Sequence, residues 1–226
     1  MMGAIFWLCC TVAVYWVSKR MYILFPKVYL TPLLVTPVVV IALVEAAGVP
    51  FESYNKGGAW LTGMMEPATI ALAVILYKHL DVLRNHAYVI VASVSCGSVA
   101  AVVTSAGLAH LFGLHAELVS SLAPHSATTP IALAVTRMTG GIPSVTALAT
   151  LMTGLLGILV GPLIIKWFHV QSPVSRGILL GTSAHSAGIR QAIEYSPVSG
   201  SIAVVSMILT AFITLCVAPW IIWWLR

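Results

Sequence analysis

Long apolar runs separated by short polar stretches set the pattern of this chain. The runs extend from Met2 to Val17, Thr31 to Ala47, Trp60 to Leu76, Tyr88 to Phe112, Val145 to Phe168, Gly177 to Ile193 and Ile202 to Leu225. A helix crosses a hydrocarbon core with about 20 apolar residues, so the pattern predicts an all-α polytopic membrane protein. Short segments of alternating polarity, the signature of a membrane β-barrel, are missing from the sequence. The polar stretch VPFESYNKGG, Val49 to Gly58, predicts a loop.

Two stretches break the pattern inside it. One is PHSATTP, Pro124 to Pro130, and the other is GTSAH, Gly181 to His185. Lipid cannot satisfy bare backbone polar groups, so interrupted helix at membrane depth survives only where protein or a water-filled cavity surrounds it. Both stretches are therefore expected to line a binding site and to meet near the midplane. A third interruption, Glu66 with Pro67 and Thr69, falls inside the run from Trp60 to Leu76.

Composition agrees with this picture. The chain is 60% hydrophobic and 8% charged, with a mean hydropathy of +1.02. A soluble domain of this size carries about a quarter charged residues. The net charge of +5 comes from Lys and Arg scattered at the ends of the runs, which is no nucleic-acid signature. Cys9, Cys10, Cys96 and Cys216 sit in apolar runs without ligand spacing, so neither metal nor disulfide is expected. The whole chain, 1–226, is expected to form one transmembrane domain, with half-repeats over 1–115 and 120–226.

The distribution of charge predicts topology. No basic residue precedes the first run, and Lys19 with Arg20 follows it, so that run is expected to be a retained span with its N-terminus outside the cytoplasm. If the segment from Ser120 to Met138 dips in and returns, most Lys and Arg collect on the cytoplasmic side. The expectation is then about seven spans plus one re-entrant or broken segment, with the C-terminus inside. Trp220, Trp223 and Trp224 would form an interfacial belt. On this topology two interrupted spans run in opposite directions, which points to inverted repeats.

The candidate chemistry is anion binding without covalent catalysis. Pro130 suits the first turn of a helix, and Thr128 or Thr129 can cap it. A helix N-terminus offers free N–H groups and partial positive charge to an anion. Ser126, Thr128, Thr129, Thr182 and Ser183 add hydroxyls, while His125 and His185 add titratable rings. The alternative for each hydroxyl is that it satisfies a carbonyl of its own kinked helix. Glu66, His125 and His185 are the candidates for carrying a coupling proton; Glu66 is either buried for that purpose or close enough to a span end to meet water. No orienting carboxylate accompanies His125 and Ser126, so no enzyme is expected, and no cofactor motif is present.

The residues quoted so far belong to a recognisable set. SYNKGG (Ser53 to Gly58), EPATIALAVILY (Glu66 to Tyr77), PHSATTPIALAVTRMTGGIPSVTA (Pro124 to Ala147), TGLLGILVGP (Thr153 to Pro162) and RGILLGTSAHSAG (Arg176 to Gly188) resemble the LrgB/CidB family over nearly the full chain. The resemblance implies two functions. One is antiholin-like or holin-like control of murein hydrolase export and autolysis, acting with a small LrgA/CidA-type membrane partner. The other is carriage of small monocarboxylates, since the plastid relative is similar to a glycolate/glycerate translocator and bacterial relatives are linked to pyruvate. It also implies residence in the bacterial inner membrane, with homo-oligomerisation as a further expectation. Compared with the family's usual residues, His125 replaces a Lys, Ala127 a Val, Thr31 an Asn and Ile189 a Thr, and Ser183 and Ala184 are exchanged. The polar helix breaks favour the carboxylate reading.

Overall fold

The computed structural model describes residues 2–25, 30–64, 67, 70, 71, 77 and 80–225. Glu66 and Thr69 lie outside the described residues, and with them much of the expected span from Trp60 to Leu76. Every regular element among the described residues is helical. The chain groups into two compact units, Met1–Ala71 and Leu72–Arg226.

The first unit holds α1 (Met2–Leu24), α2 (Pro32–Ala46) and α3 (Phe51–Gly63). The expected loop at Val49 to Gly58 is thus mostly helix, begun at Phe51 after Pro50. Its Gly57 explains why: a Cβ there would overlap the Ala4 carbonyl, so only glycine lets α3 lie this close to α1. Trp7 packs edge to face on Tyr54 at 6.0 Å, joining the same pair of helices, and on its neighbour Phe6 at 5.5 Å. Between the three helices lies a mainly apolar cavity of about 540 Å³, lined by residues that include Thr36, Val40, Val44 and Phe51.

The second unit contains α4 (Leu80–Leu111), α5 (Ala116–Leu122), a 3-10 turn (Ala123–Ser126), α6 (Thr129–Met138), α7 (Pro143–Trp167), α8 (Pro173–Tyr195) and α9 (Pro197–Trp224). Among the described residues three helical stretches are long and apolar enough to cross a membrane: Arg84–Leu111, Pro143–Trp167 and Pro197–Trp224. The described helices therefore do not confirm a count of seven spans. The last helix is the central one, with 61% of its most apolar window buried against 28% and 33% in the other two. Trp220, Trp223 and Trp224 stay exposed at its end, as an interfacial belt requires.

Helices α4 and α9 run parallel. Ile90 and Val94 pack with Ile202 and Val205 at one end, and Val102, Ala106 and Ala109 pack with Ala218 and Ile222 at the other. Helix α7 runs the opposite way. It starts where Thr146 donates to the Ser121 carbonyl (2.9 Å), and Ile165 near its end packs with Leu180, Ala192 and Ala203.

The segments between these helices are hairpins. In the first, Val119 and Ala123 pack in one cluster with Val135 and Ile131, so α5 with its 3-10 turn enters and α6 returns. Its arms are tied by Ser121 and Thr136, which meet on Thr146 (Thr136 Oγ1 to Thr146 Oγ1, 2.7 Å). This is the dip and return expected for Ser120 to Met138.

The second hairpin differs from expectation. Gly177 to Ile193 is not one interrupted span, because the chain reverses at His185 (φ 52°, ψ −135°). Gly188 lies directly against the Leu180 carbonyl, and the Arg176 guanidinium sits 5.1 Å from the Tyr195 ring centroid. A continuous helix would hold that last pair more than about 25 Å apart. Ser199 Oγ also donates to the Pro173 carbonyl at 3.0 Å, so both ends of α8 are at one level. Each arm is about half of the ~20 residues a full crossing takes. Cysteines placed at Ser172 and Ser196 are accordingly expected to react with an impermeant thiol reagent from the same side; labelling from opposite sides would exclude the reversal.

Within the second unit a long helix followed by a hairpin occurs twice, α4 with the first hairpin and α7 with the second, which differs in bounds from half-repeats over 1–115 and 120–226. Since α4 and α7 are antiparallel, the two hairpins enter from opposite ends of the unit.

Candidate functional site

The hairpins end against each other. The 3-10 turn packs against α8 and α9, and His125 is the electrostatic neighbour of His185 through both its ring and its main chain. Helix α7 supplies the floor. A Cβ on Gly157 would stand 2.6 Å from the Ala184 Cβ and 2.7 Å from the Ser183 carbonyl oxygen, so the second tip is seated directly on α7.

The first tip is an uncapped helix start. Ala127 and Thr128 are extended, and α6 begins at Thr129 with no side-chain cap on its N-terminus. Its first intrahelical bond runs from the Ala132 N–H to the Thr128 carbonyl (2.8 Å). Pro130 has no N–H, so the N–H groups of Thr129 and Ile131 are the ones left without helical acceptors. Ser126 Oγ and Thr128 Oγ1 stand beside this end, buried and without a hydrogen bond. His125 Nδ1 is held on the Leu122 carbonyl at 2.9 Å, leaving its Nε2 for the site. Thr129 and Pro130 are half-buried in the first turn itself.

The second tip contributes His185. It is 6% exposed, and neither ring nitrogen has a hydrogen-bond partner. Thr182 and Ser183 sit one turn earlier. Their hydroxyls donate to the Ile178 carbonyl (2.8 Å) and the Leu179 carbonyl (2.6 Å), so their protons are spent on their own arm. The hydroxyls expected from the sequence therefore divide: Ser126 and Thr128 are free to donate into the site, and Thr182 and Ser183 shape the turn.

Four further hydroxyls belong to this level. Ser98, Ser206, Thr210 and Thr214 are each at most 1% exposed, and none has a partner. On α9 they follow every fourth residue, on the line that begins at Ile202 and ends at Ala218 and Ile222. On α4, Ser98 takes the same place between Val94 and Val102. The sequence carried this signal as hydroxyls at four-residue spacing inside an apolar run, a spacing that keeps them on one helix face.

A buried polar atom without a partner costs about 1–3 kcal/mol, and native interiors contain few. Among the described residues most such atoms belong to the second unit, on the two interruptions and on the apolar helices beside them; Thr31 and Thr36 of the first unit and Gln191 are the others. These features define a class: a polytopic helical membrane protein with two opposed half-depth hairpins closing on a polar internal site. Within that class the chain belongs to the LrgB family, whose LrgB-like family model matches residues 11–224. The uncharacterized protein YwbG of Bacillus subtilis is 49% identical over 212 residues, covering 94% of each chain. YxaC of the same organism is 33% identical over 213 residues, or 94% of this chain and 93% of the relative. The antiholin-like protein LrgB of Bacillus mycoides is 34% identical over 189 residues, or 84% of this chain and 82% of the relative. No solved structure matches the chain.

Proposed function

We propose that this protein is a membrane carrier for small monocarboxylates of the glycolate, glycerate, lactate and pyruvate class, resident in the bacterial inner membrane. One observation carries the proposal: the free N-terminus of α6 faces a tip-to-tip contact in which Ser126, Thr128 and His185 have unspent hydrogen-bonding atoms. Free N–H groups and hydroxyls at the positive end of a helix are what a compact anion needs. The site is too small a feature for a lytic pore to require, and opposed hairpins suit exposure to one side at a time.

The reversal at His185 leaves Lys166 and Arg176 at one end of the unit, facing Arg137 at the other. By the positive-inside rule the first of these ends is cytoplasmic. Helix α9 starts there, so its Trp-rich end lies on the outer side, the reverse of the orientation expected from the sequence.

The test is uptake of labelled glycolate or lactate into liposomes holding the purified protein. Flux should saturate, and Thr128→Val should lower it about tenfold to a hundredfold, the worth of one hydrogen bond to a charged group. The same variant should unfold at an unchanged or higher temperature, because the hydroxyl it removes bonds nothing in the fold. Flux indifferent to Thr128→Val would sink the site.

A second function is favoured by the name that several relatives carry, antiholin-like protein LrgB. On that alternative the chain modulates murein hydrolase export and autolysis, with a small LrgA/CidA-type membrane protein as partner. Unselective dye release without saturable carboxylate flux would support it over the carrier.

A further inference from the structure

We propose that the cavity between α1, α2 and α3 binds an apolar organic cation, an ammonium ion carried on a short hydrocarbon body. The site is separate from the hairpin tips and does not depend on the carboxylate reading. Its volume of about 540 Å³ falls in the range of small-molecule sites, and its lining has their composition, mostly apolar with a few polar points. On α2 the lining follows one face in two adjacent rows, Thr36, Val40 and Val44 beside Pro37, Ile41 and Glu45. At 1.5 Å per residue that face is about 13 Å long.

Glu45 fixes the sign of the ligand. Among the lining residues it alone carries charge, and it is exposed at the end of its row, while Val40 is buried. The chain then turns at Gly48 (φ 60°), where the Val49 N–H donates to the Val44 carbonyl (3.2 Å). This turn brings Phe51 and Tyr54 into the same lining, with their rings 6.5 Å apart at a tilt of 41°. Thr11 spends its proton on the Trp7 carbonyl (2.8 Å), so in the 3.4 Å contact between Thr11 and Tyr54 the phenol is the donor. Tyr54 is thereby held on α1, leaving its ring as the part available to the cavity. Aromatic faces beside a carboxylate are the surroundings that hold quaternary ammonium groups.

The same lining argues against other occupants. A carboxylate would meet the like charge of Glu45. A hard metal ion such as calcium takes about 6–8 oxygen ligands, and a single carboxylate falls short of that. A phosphocholine lipid would bring its phosphate close to Glu45 together with its ammonium, and those like charges repel. Thr36 adds a second polar point. Its Oγ1 is buried without a hydrogen bond, so the fold itself does not use it. It lies at the opposite end of the α2 face from Glu45, so a ligand long enough to reach it can carry one neutral donor or acceptor at its tail.

Isothermal titration calorimetry on the purified full chain in lipid nanodiscs tests the site, with phenylbutyltrimethylammonium as the probe and empty nanodiscs as the blank. The probe should bind saturably at a single site, and neutral phenylbutanol should bind about tenfold more weakly. Glu45→Gln and Phe51→Leu should each weaken the probe about fivefold. Both side chains are exposed, so the unfolding temperature of either variant should stay within a few degrees of the parent's. Partition without saturation, equal affinity for the alcohol, or affinity unchanged by Glu45→Gln overturns the proposal. Displacement of the probe by an equal concentration of decylphosphocholine would assign the cavity to lipid and overturn it as well.

Discussion

Replacing His185 with glycine is expected to abolish activity while leaving the heat stability of the protein nearly unchanged. The backbone at His185 has φ 52° and ψ −135°, a conformation that suits glycine at the first corner of a tight reversal and that L side chains avoid. Holding a side chain there costs about 1–3 kcal/mol. The imidazole returns little of that: neither nitrogen reaches hydrogen-bond geometry, although the His125 main chain lies close to the ring. Glycine removes the strain and the buried polar atoms, and loses about 0.5–1 kcal/mol through its freer unfolded chain. Removing a side chain that is 6% exposed also leaves a cavity, which costs about 2–5 kcal/mol, so the gains and losses should nearly cancel and the detergent unfolding temperature should stay within a few degrees of the parent's. Saturable carboxylate uptake should vanish with the ring. A larger fall in unfolding temperature would mean that the imidazole is part of the fold's own bonding.

Gly181→Val is expected to have the largest effect on the fold itself. A Cβ at position 181 would overlap the Ala203 carbonyl oxygen and stand 2.7 Å from the Ala203 Cα and 2.9 Å from its carbonyl carbon. These are main-chain atoms of the central helix and cannot swing aside. Overpacking against side chains costs about 1–3 kcal/mol; against rigid backbone it should exceed that and prevent the second hairpin from docking. The monodisperse peak in size-exclusion chromatography should be lost. Gly107→Ala is the control: a Cβ there meets nothing within 4 Å, and the better helix propensity should leave stability equal or up to about 1 kcal/mol higher.

The two interruptions differ in how plainly the sequence announces them. The first interruption was legible because its residues are breakers and cappers: Pro124, Thr128, Thr129 and Pro130 cannot be read as uninterrupted helix. Its return to the same side was legible in the charges around it. The second was visible only as a weakness. GTSAHSAG holds no proline, and its small residues are compatible with helix, so the run from Gly177 to Ile193 looked like a crossing. The reversal is confined to one residue, and what stabilises it is tertiary: Gly157, Gly181 and Gly188 each admit a neighbour that a methyl group would exclude. The same glycines could pass for ordinary close helix packing. The hydroxyls at 206, 210 and 214 are hard to single out for a related reason, since a Ser or Thr bonded to its own helix is inconspicuous and the sequence does not say which ones are not.

The tip-to-tip arrangement has an electrical corollary. Were water to enter beside each hairpin from its open side, the insulating partition between the two faces would thin to the few residues around Ser126 and His185. A membrane voltage delivers about 2.3 kcal/mol per elementary charge per 100 mV wherever the resistance lies, and here it would fall across that narrow septum. An ion would traverse most of the field in a step of a few ångströms past one helix end, so a small shift of a single tip could gate it.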